Sequence, residues 1–369
     1  MIERTEVALK LLNLRDAMKM EGLDGIRFRG VDWFSWVTGG ANPVVILTSE
    51  TGIAEVFVTR ESAYVLTNHI EAQRLTEEEV SKDFEVIDRP WTEGASAFDR
   101  FIFETVNPAV IASDRPLKTE RSLPQKIEAL KLVFAGHELD RYRALGRDAG
   151  LAMKAALSRA EPGMTELQLA GEGAKEMWAM GIHPTLTLVA GEARLLTRRH
   201  PFPTKEKLGR RAMMVFCARR GGLYANFTRF VYFRKPSSQE QKYHDDLMPI
   251  EAAVLNASKP GASLQDGFDA LARAYEHSGY PDELKKHHQG GSTGYLSRER
   301  VAGISNTPLG ANDTIREGST LAWNPSLPGA KMEDTFLVTK KSLENLTDID
   351  GWPSVMVDGR KRPSIWIKD

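Results

Sequence analysis

The sequence contains a single cysteine, Cys217, and it lacks any long apolar run. One cysteine cannot form a disulfide bond within the chain, which is typical of proteins in a reducing compartment. No segment approaches the roughly 20 apolar residues that span a bilayer. Charged residues are spread through segment 1–22, so this segment does not resemble a signal peptide. We therefore expect a cytoplasmic protein that has no membrane partner.

An excess of charge of either sign is also missing. The chain has 49 Lys and Arg residues against 50 Asp and Glu residues, which gives a formal net charge of -1. This balance gives no electrostatic reason to expect nucleic acid as a partner. Hydrophobic residues make up 41% and charged residues 27% of the chain, as in a globular protein. The expected partner is therefore a small-molecule substrate.

The first third of the chain alternates helical and strand-like patterns. Apolar residues at mostly helical spacing predict a helix over residues 4–21. Strands interleaved with helix-compatible stretches predict a layered α/β domain. The runs that predict strands are 43–48, 54–59, 64–67, 85–88 and 109–112.

Segment 31–40 (VDWFSWVTGG) is rich in aromatic residues and ends in two glycines. This composition favours the edge of a strand that packs against its own domain. The alternative is that Trp33 or Trp36 reaches a pocket, including one across a dimer interface.

The pattern changes at residues 132–139, and a long amphipathic helix is predicted to begin near Asp140. At 369 residues the chain is too long for one ordinary core, so we expect two domains, 1–135 and 136–369. Pro162-Gly163 would end the helix, and Thr165 with Gln168 predicts a capping box that opens the next one. The predicted apolar stripe of the first helix comprises Ala144, Leu145, Leu151, Ala152, Ala155 and Leu157.

A similar arrangement recurs about a hundred residues later. A helix over 249–258 is predicted to end at Lys259-Pro260-Gly261, and Ser263 with Asp266 offers a second cap. Strand-like segments follow in both places. The sequence therefore predicts an internal repeat, and active sites often lie between such halves.

Four segments of the second half occur in the order and approximate spacing of one known family. Segment 189–203 holds a glycine turn and then Arg199-His200-Pro201-Phe202-Pro203, and segment 214–230 (MVFCARRGGLYANFTRF) predicts a β-hairpin ending in Thr-Arg. Segment 287–299 (HHQGGSTGYLSRE) contains a His-x-x-Gly pattern, and segment 321–339 contains Glu333-Asp334-Thr335. Together these segments resemble the creatinase, aminopeptidase P and prolidase family, peptidase family M24.

The resemblance covers about residues 140–350 well and the N-terminal region loosely. It implies an α/β N-terminal domain followed by an α+β pita-bread domain, in which helices surround a curved antiparallel sheet with an internal pseudo-two-fold repeat. It also implies a homodimer in which the N-terminal domain of one subunit covers the site of the other.

This chain departs from the family at the metal ligands. Metal-dependent members carry two Asp, one His and two Glu, and these positions fall here at Val215, Asn226, His287, Asn324 and Glu333. A dinuclear site needs anionic oxygen ligands that neutralise two divalent cations. One carboxylate, one imidazole, two amides and a valine do not provide them. We therefore expect no metal site and no cofactor.

Creatinase works without a metal, so the resemblance still implies catalytic roles. His200 matches the histidine that moves protons, and an imidazole suits this role because it titrates near neutral pH. Glu333 matches a glutamate that binds an N–H-rich group or orients water, and Arg298 matches an arginine that holds a substrate carboxylate. The alternatives are a solvated loop histidine, a strand glutamate paired with Lys331, and a surface arginine.

The remaining predicted site residues lie in the same segments. His287 is a catalytic candidate and is expected to point inward in preference to His288, because neighbouring strand residues face opposite sides; an exposed loop is the alternative. Asn226 and Asn324 would line a polar wall, since an amide both donates and accepts hydrogen bonds. Thr228 replaces a substrate-binding glutamate of creatinase, which argues against creatine. Tyr295 is a further substrate-binding candidate.

Three functional hypotheses follow from these residues. The first is a metal-independent, creatinase-like hydrolase of a C–N bond in a small polar molecule that bears a carboxylate. The second is a pita-bread binding or interaction protein without catalysis. The third is a metal-dependent Xaa-Pro aminopeptidase or dipeptidase that uses an unanticipated ligand set.

Overall fold

The computed structural model describes residues 5–106, 110–304 and 314–368. The chain forms two compact units. The first comprises the chain up to Leu132 together with Gly136–Glu138, and the second comprises Val133–Ala135 together with the chain from Leu139. No helix in the described part of the chain is long and apolar enough to cross a membrane.

The first unit is built on a six-stranded sheet with the order β4-β3-β2-β1-β5-β6. The pairs β1–β2 and β2–β3 are antiparallel, whereas β1–β5, β3–β4 and β5–β6 are parallel. Helices lie between the strands along the chain, as in a layered α/β unit. The strands are β1 Gly25–Gly30, β2 Thr51–Thr59, β3 Ala63–Asn68, β4 Glu85–Arg89, β5 Ile111–Ser113 and β6 Arg121–Ser122. The helices are α1 Glu6–Glu21, α2 Val31–Val37, α3 Ala72–Arg74, α4 Asp99–Thr105 and α5 Gln125–Glu128, with a π-helical turn at Leu75–Glu79 and 3₁₀ turns at Trp91–Ser96 and Ala129–Leu132.

Helix α1 and strands β2, β3 and β4 agree with the sequence predictions, but two strand assignments differ. Segment 43–48 forms turns, and Val45 and Ile46 are exposed there, so its apolar character was misleading. Strand β1 was missed because Arg27 and Arg29 hide its buried character. Arg29 donates to Glu120 at 2.6 and 2.7 Å, which compensates the burial of its charge. Residue 109 of the last predicted strand lies outside the described residues.

The prediction of a strand edge at 31–40 was wrong, because residues Val31–Val37 form helix α2. All seven residues of this helix are buried. The Trp33 ring stacks on Phe28 with centroids 4.9 Å apart, and Trp36 meets Trp33 edge-on at 5.4 Å. Burial of these rings within their own unit stabilises a helix where β-branched and aromatic composition favoured a strand.

The helices of the second unit follow the predicted capped pattern. Thr165 and Gln168 form a capping box before α7, and Ser263 and Asp266 form one before α10. In each box the side chain of one residue satisfies a free amide of the other. The helices are α6 Gly136–Arg159, α7 Glu166–Ala179, α8 Glu192–Leu195, α9 Ser238–Ala257 and α10 Leu264–His277, with a 3₁₀ turn at Pro281–Lys286.

Two helix predictions need correction. The helix predicted over 249–258 begins at Ser238 instead, after a further capping box of Ser237 and Glu240, and Pro249 lies inside it. Helix α6 begins four residues before Asp140, and Leu151 of its predicted apolar stripe is exposed. The buried stripe of α6 is rotated relative to the predicted one. Its buried positions include Tyr142, Leu145, Ala149, Ala152, Met153, Ala156 and Leu157.

Two sheets form the centre of the second unit, with the orders β19-β9-β8-β7 and β11-β10-β12-β15-β16. They are joined at β9, where the Thr228 amide donates to the Glu333 carbonyl at 3.0 Å and the Asn226 amide donates to Thr335 Oγ1 at 2.8 Å. The strands are β7 His183–Gly191, β8 Arg211–Arg220, β9 Leu223–Tyr232, β10 Gly290–Ser292, β11 Arg300–Val301, β12 Thr320–Trp323, β13 Ser326–Leu327, β14 Ala330–Lys331, β15 Phe336–Val338, β16 Leu343–Asn345, β17 Ser354–Val357, β18 Arg360–Pro363 and β19 Trp366–Ile367.

The predicted repeat is visible in the order of these elements. Helices α6 and α7 precede β7–β9, and helices α9 and α10 precede β10, β12 and β15. Leu247, Leu271 and Trp323 belong to one hydrophobic cluster, which packs the second helix pair against its sheet. Burial of this apolar surface fixes the strands that carry the candidate site.

Candidate active site

His200 lies in the loop between α8 and β8 and is exposed. Its imidazole stacks on the His287 ring with centroids 5.7 Å apart, and the His288 ring lies 5.4 Å away. Within the described part of the chain, neither nitrogen of His200 has a hydrogen-bond partner. Both nitrogens are therefore available to accept or donate a proton.

The surroundings of His200 favour its neutral form. Desolvation of the imidazole lowers its pKa, and the positive charges of Lys331 and Arg298 lower it further, whereas Glu333 opposes them. A histidine with a lowered pKa is unprotonated at neutral pH and is ready to act as a base.

His287 is held on both sides of its ring. Its Nδ1 donates to the carbonyl of His288, so its Nε2 is the acceptor of a 2.7 Å hydrogen bond from Ser326 Oγ. Arg199 donates to the same hydroxyl at 3.3 Å and is itself paired with Glu283. Burial, followed by the charge of Lys331, lowers the pKa of His287 to about 3. His287 is therefore a neutral residue that supports His200, with no nitrogen left for substrate.

His288 is exposed, yet its ring also faces His200. Its Nδ1 accepts a 3.3 Å hydrogen bond from the Gly290 amide, which leaves Nε2 as the protonated nitrogen of the neutral ring. Partial desolvation of the ring, followed by the charge of Arg298, lowers the pKa of His288 to about 4. From the sequence, His287 is expected to point inward in preference to His288. In the structure both rings contact His200.

Glu333 is the one predicted site residue with a carboxylate, and it is buried and fully engaged. Oε1 accepts from Arg298 Nη2 at 2.6 Å, and Oε2 accepts from Thr228 Oγ1 at 3.1 Å. Lys331 Nζ lies 3.4 Å from Oε2. Burial alone would raise the pKa of Glu333, but Lys331 and Arg298 outweigh it and lower the pKa to about 2. Glu333 is thus a permanent anion.

Arg298 does not present a free guanidinium fork to a substrate carboxylate. Nη2 bonds to Glu333, and Nη1 donates to the carbonyl of its own neighbour Ser297 at 2.7 Å. Nε is buried and has no hydrogen-bond partner in the described part of the chain. The arginine expected to hold substrate therefore serves first as the counter-charge of Glu333.

Asn226 lies on the face of the β8–β9 hairpin that also carries Thr228. Its Nδ2 donates to Thr293 Oγ1 at 2.8 Å and to the Ser297 carbonyl at 3.3 Å, so the amide orientation is fixed. Oδ1 is buried and finds no partner among the described residues. Opposite Asn226 lies Cys217, whose thiol pKa is raised by burial to about 12. Cys217 is therefore a neutral packing residue.

Asn324 and Tyr295 differ in their surroundings. Asn324 is buried just after β12, where its backbone N–H donates to the Gln289 carbonyl at 3.1 Å. Its side-chain Oδ1 has no hydrogen-bond partner within the described ranges. Tyr295 stacks on Phe134 with ring centroids 6.0 Å apart, and its hydroxyl accepts from Arg141 at 3.3 Å. Both ends of the Tyr295 side chain are thus engaged in packing against α6 and the segment before it.

Lys331 is the site residue that the sequence reasoning considered only as an alternative partner for Glu333. Its side chain is 5% exposed, and it lies two residues before Glu333. Alternate residues of an extended chain face the same side, which is the signal that assigns Lys331 to the site. A lysine in a strand is ordinarily solvated, so this signal was weak.

The residues present do not fit a dinuclear metal centre. No group of three or more His, Cys, Asp or Glu side chains suited to a metal occurs among the described residues. Glu333 is already neutralised by two cations, and Val215 lies opposite Thr228 where a carboxylate ligand was expected from the family pattern. Fixed positive charge beside the carboxylate opposes the binding of a divalent cation.

Solved structures with this fold cover nearly the whole chain. A prolidase from Pyrococcus horikoshii OT3 superposes with a TM-score of 0.74 at 17% identity, covering 93% of this chain and 99% of its own. An X-Pro aminopeptidase from Thermotoga maritima MSB8 gives a TM-score of 0.77 at 16% identity, covering 97% and 99%. The N-terminal domain of FACT complex subunit SPT16 from chickpea gives 0.67 at 14% identity, covering 93% and 95%. They confirm the expected fold, an α/β N-terminal domain followed by a pita-bread domain.

Curated sequences match over shorter stretches. An uncharacterized peptidase of Staphylococcus saprophyticus is 25% identical over 238 residues, which is 61% of this chain and 65% of the relative. One from Staphylococcus epidermidis is 28% identical over 160 residues, or 41% and 44% of the two chains. These matches span less than two thirds of either relative. The sequence pattern of metallopeptidase family M24 matches residues 140–340, more than half of the chain, and the chain therefore belongs to that family.

Proposed function

We propose that this chain is a metal-independent hydrolase of a C–N bond in a small polar molecule that bears a carboxylate. The observation that carries the proposal is the state of His200. Its ring contacts two other imidazoles and its pKa is lowered. Neither ring nitrogen forms a hydrogen bond with another described residue. Membership of a peptidase family supports hydrolysis as the type of reaction.

His200 would carry one proton through the reaction. The neutral imidazole takes a proton from water as the water oxygen attacks the carbon of the C–N bond. The imidazolium then returns that proton to the leaving nitrogen as the C–N bond breaks. One group can perform both transfers because an imidazole can accept and return a proton within one catalytic cycle. The rings of His287 and His288 lie beside the His200 ring, at centroid distances of 5.7 and 5.4 Å.

Glu333 has a different role in this proposal from the one expected. Its pKa of about 2 is too low for a general base at neutral pH. Its oxygens instead fix Arg298, Lys331 and Thr228 around one point. Glu333 therefore organises the cationic side of the site and does not activate water.

The local charge favours an anionic or neutral substrate. Arg298 and Lys331 contribute two positive charges and Glu333 contributes one negative charge, so these three residues sum to +1. A guanidinium substrate would face this excess, which argues against creatine. The Oδ1 atoms of Asn226 and Asn324, which have no hydrogen-bond partner among the described residues, suit substrate N–H groups, because a buried acceptor is costly to leave unbonded.

Turnover by metal-free protein tests the proposal. The purified chain is stripped with a chelator, its metal content is measured, and it is assayed with N-acyl amino acids, cyclic amidines, amidino acids and Xaa-Pro dipeptides. We expect turnover without metal and a loss of roughly 10²- to 10⁴-fold in kcat for His200→Ala. His277→Ala, at the exposed end of α10, is the matched control.

Two results would contradict the proposal. Activity that appears only after addition of Mn²⁺ or Co²⁺, and disappears with chelator, would assign the chain to the metal-dependent Xaa-Pro peptidases. Turnover that is equal in His200→Ala and in the wild type would remove His200 from the mechanism.

A second candidate function is binding without catalysis. The observation that favours it is that the single carboxylate of the former ligand set is closed into ion pairs. The FACT subunit domain has a similar fold, and fold does not determine function. This reading predicts that no candidate is hydrolysed and that His200→Ala leaves ligand affinity unchanged.

A further inference from the structure

Lys331 is a buried cation whose bonding capacity is mostly unused. Its one ion pair among the described residues is the 3.4 Å contact with Glu333, and its Nζ makes no hydrogen bond within those ranges. An ammonium carries three N–H donors. Burying such a group without full pairing is unfavourable unless a ligand completes its surroundings.

Arg298 competes poorly with Lys331 for a ligand. Its contact with Glu333 is 2.6 Å, and Nη1 is committed to the Ser297 carbonyl. Only its buried Nε lacks a partner in the described part of the chain. The longer contact of Lys331 leaves its charge less neutralised, so a second anion would approach Lys331 first.

The positive charge of Lys331 affects the pKa values of several other residues of the site. It contributes to the lowered pKa of His200, His287 and His288, and together with Arg298 it lowers the pKa of Glu333. These groups come from the loop before β8, the segment before β10 and the segment between β14 and β15. A single ammonium thus lies within electrostatic range of the imidazole that would transfer the proton.

We propose that Lys331 is the anion-binding residue of this site and holds the carboxylate of the substrate. Its ammonium group supplies positive charge at a site whose altered ligand set does not fit metal ions. The position of Lys331 and its unused donors carry this assignment. The identity of the ligand as a substrate rests on the proposed function, whereas binding of a carboxylate to Lys331 does not.

Binding of acetate to the full-length, metal-free protein tests the assignment. Imidazole resonances of His200 and His288 are followed by NMR during titration with sodium acetate, at ionic strength held constant with sodium chloride. We expect saturable shifts in the wild type and a Kd about tenfold higher in Lys331→Met, because a charge-assisted hydrogen bond is lost. Lys331→Arg keeps the charge and should keep most of the affinity. Lys340→Met, which replaces an exposed lysine of the same part of the chain, is the control.

An acetate Kd that is equal in Lys331→Met and the wild type would overturn the assignment. If Lys331→Met does not fold, the same question is answered in wild-type protein labelled at lysine Cε. The lysine signal that is missing in Lys331→Arg must then shift on acetate addition, and an unshifted signal would also overturn the assignment.

The outcomes separate this inference from the proposed function. Acetate binding that depends on Lys331, in a protein that hydrolyses no candidate compound, supports the anion site and removes the hydrolase. Hydrolysis that depends on His200, with acetate affinity indifferent to Lys331, supports the hydrolase and removes the anion site.

Discussion

Arg298 Nη2 donates a 2.6 Å hydrogen bond to Oε1 of Glu333, and both side chains are largely buried, with 14% and 2% exposure. This pair converts the one surviving family carboxylate from a ligand into a structural anion. Removing either partner leaves the other charge without compensation in a buried position. The pair therefore connects the chemistry of the site with the stability of the second unit.

Glu333→Gln is expected to destabilise the protein by about 3 kcal/mol, because Arg298 and Lys331 lose their shared counter-charge. Urea unfolding monitored by circular dichroism measures the change. Glu344→Gln, which breaks the exposed pair with Arg143, is the control and should cost under about 1 kcal/mol. Equal losses of unfolding free energy in the two variants would show that the buried Glu333 pair stabilises the protein no more than the exposed pair does.

The contribution of Glu333 should also vanish in acid. Its folded pKa of about 2 lies below the value of about 4.3 for an unfolded chain, so its stabilisation is present above that higher value. As pH falls from about 5 toward 2, the stability difference between wild type and Glu333→Gln should shrink. Unfolding free energies measured along this series give the answer. A difference that stays constant with pH would contradict the lowered pKa.

The pH profile of turnover should report the ionisation of His200. Since its pKa is lowered from 6.5, kcat/KM is expected to rise with pH and to reach half its plateau below pH 6.5. Loss of a positive charge in Lys331→Met should move that midpoint upward, whereas Lys340→Met should leave it in place. A midpoint that does not move would exclude electrostatic coupling of Lys331 and His200.

A buried charge network behind Glu333 predicts a second stability effect. Arg362 donates to Glu251 at 2.6 and 2.5 Å and forms an ion pair with Asp334 at 2.9 Å, and Asp334 accepts a hydrogen bond from Arg229 at 2.8 Å. This network connects α9, β9 and β18 to the residue that follows Glu333. Arg362→Met should cost about 3 to 5 kcal/mol, because it leaves two buried carboxylates with less compensation.

Thermal or urea unfolding measures the effect of Arg362→Met. The control is Lys361→Met, which removes an exposed neighbour paired with Asp348 and should change stability by under about 1 kcal/mol. A small effect of Arg362→Met would mean that the network does not stabilise the segment between β14 and β15, which carries Glu333.

Much of the fold could be predicted from the sequence because its signals are local. The caps Thr165–Gln168 and Ser263–Asp266 formed as predicted, since each motif needs only residues three positions apart. The β8–β9 hairpin was expected from the resemblance of segment 214–230 to the family. Helix α2 and strand β1 were not predicted. In α2, burial in the tertiary structure outweighed an aromatic composition that favours strands. In β1, burial occurred despite the charges of its arginines.

The sequence by itself determined which chemical groups are present: one carboxylate, one imidazole, two amides and a valine where the family has its metal ligands. Only the tertiary structure decided their relations. Glu333 and Arg298 are 35 positions apart in the chain, and His200 and His287 lie on separate segments, so no local pattern specifies their contact. Which donor meets which acceptor depends on long-range packing of the two sheets. That packing makes Glu333 an ion-pair partner and leaves both ring nitrogens of His200 without a hydrogen-bond partner among the described residues.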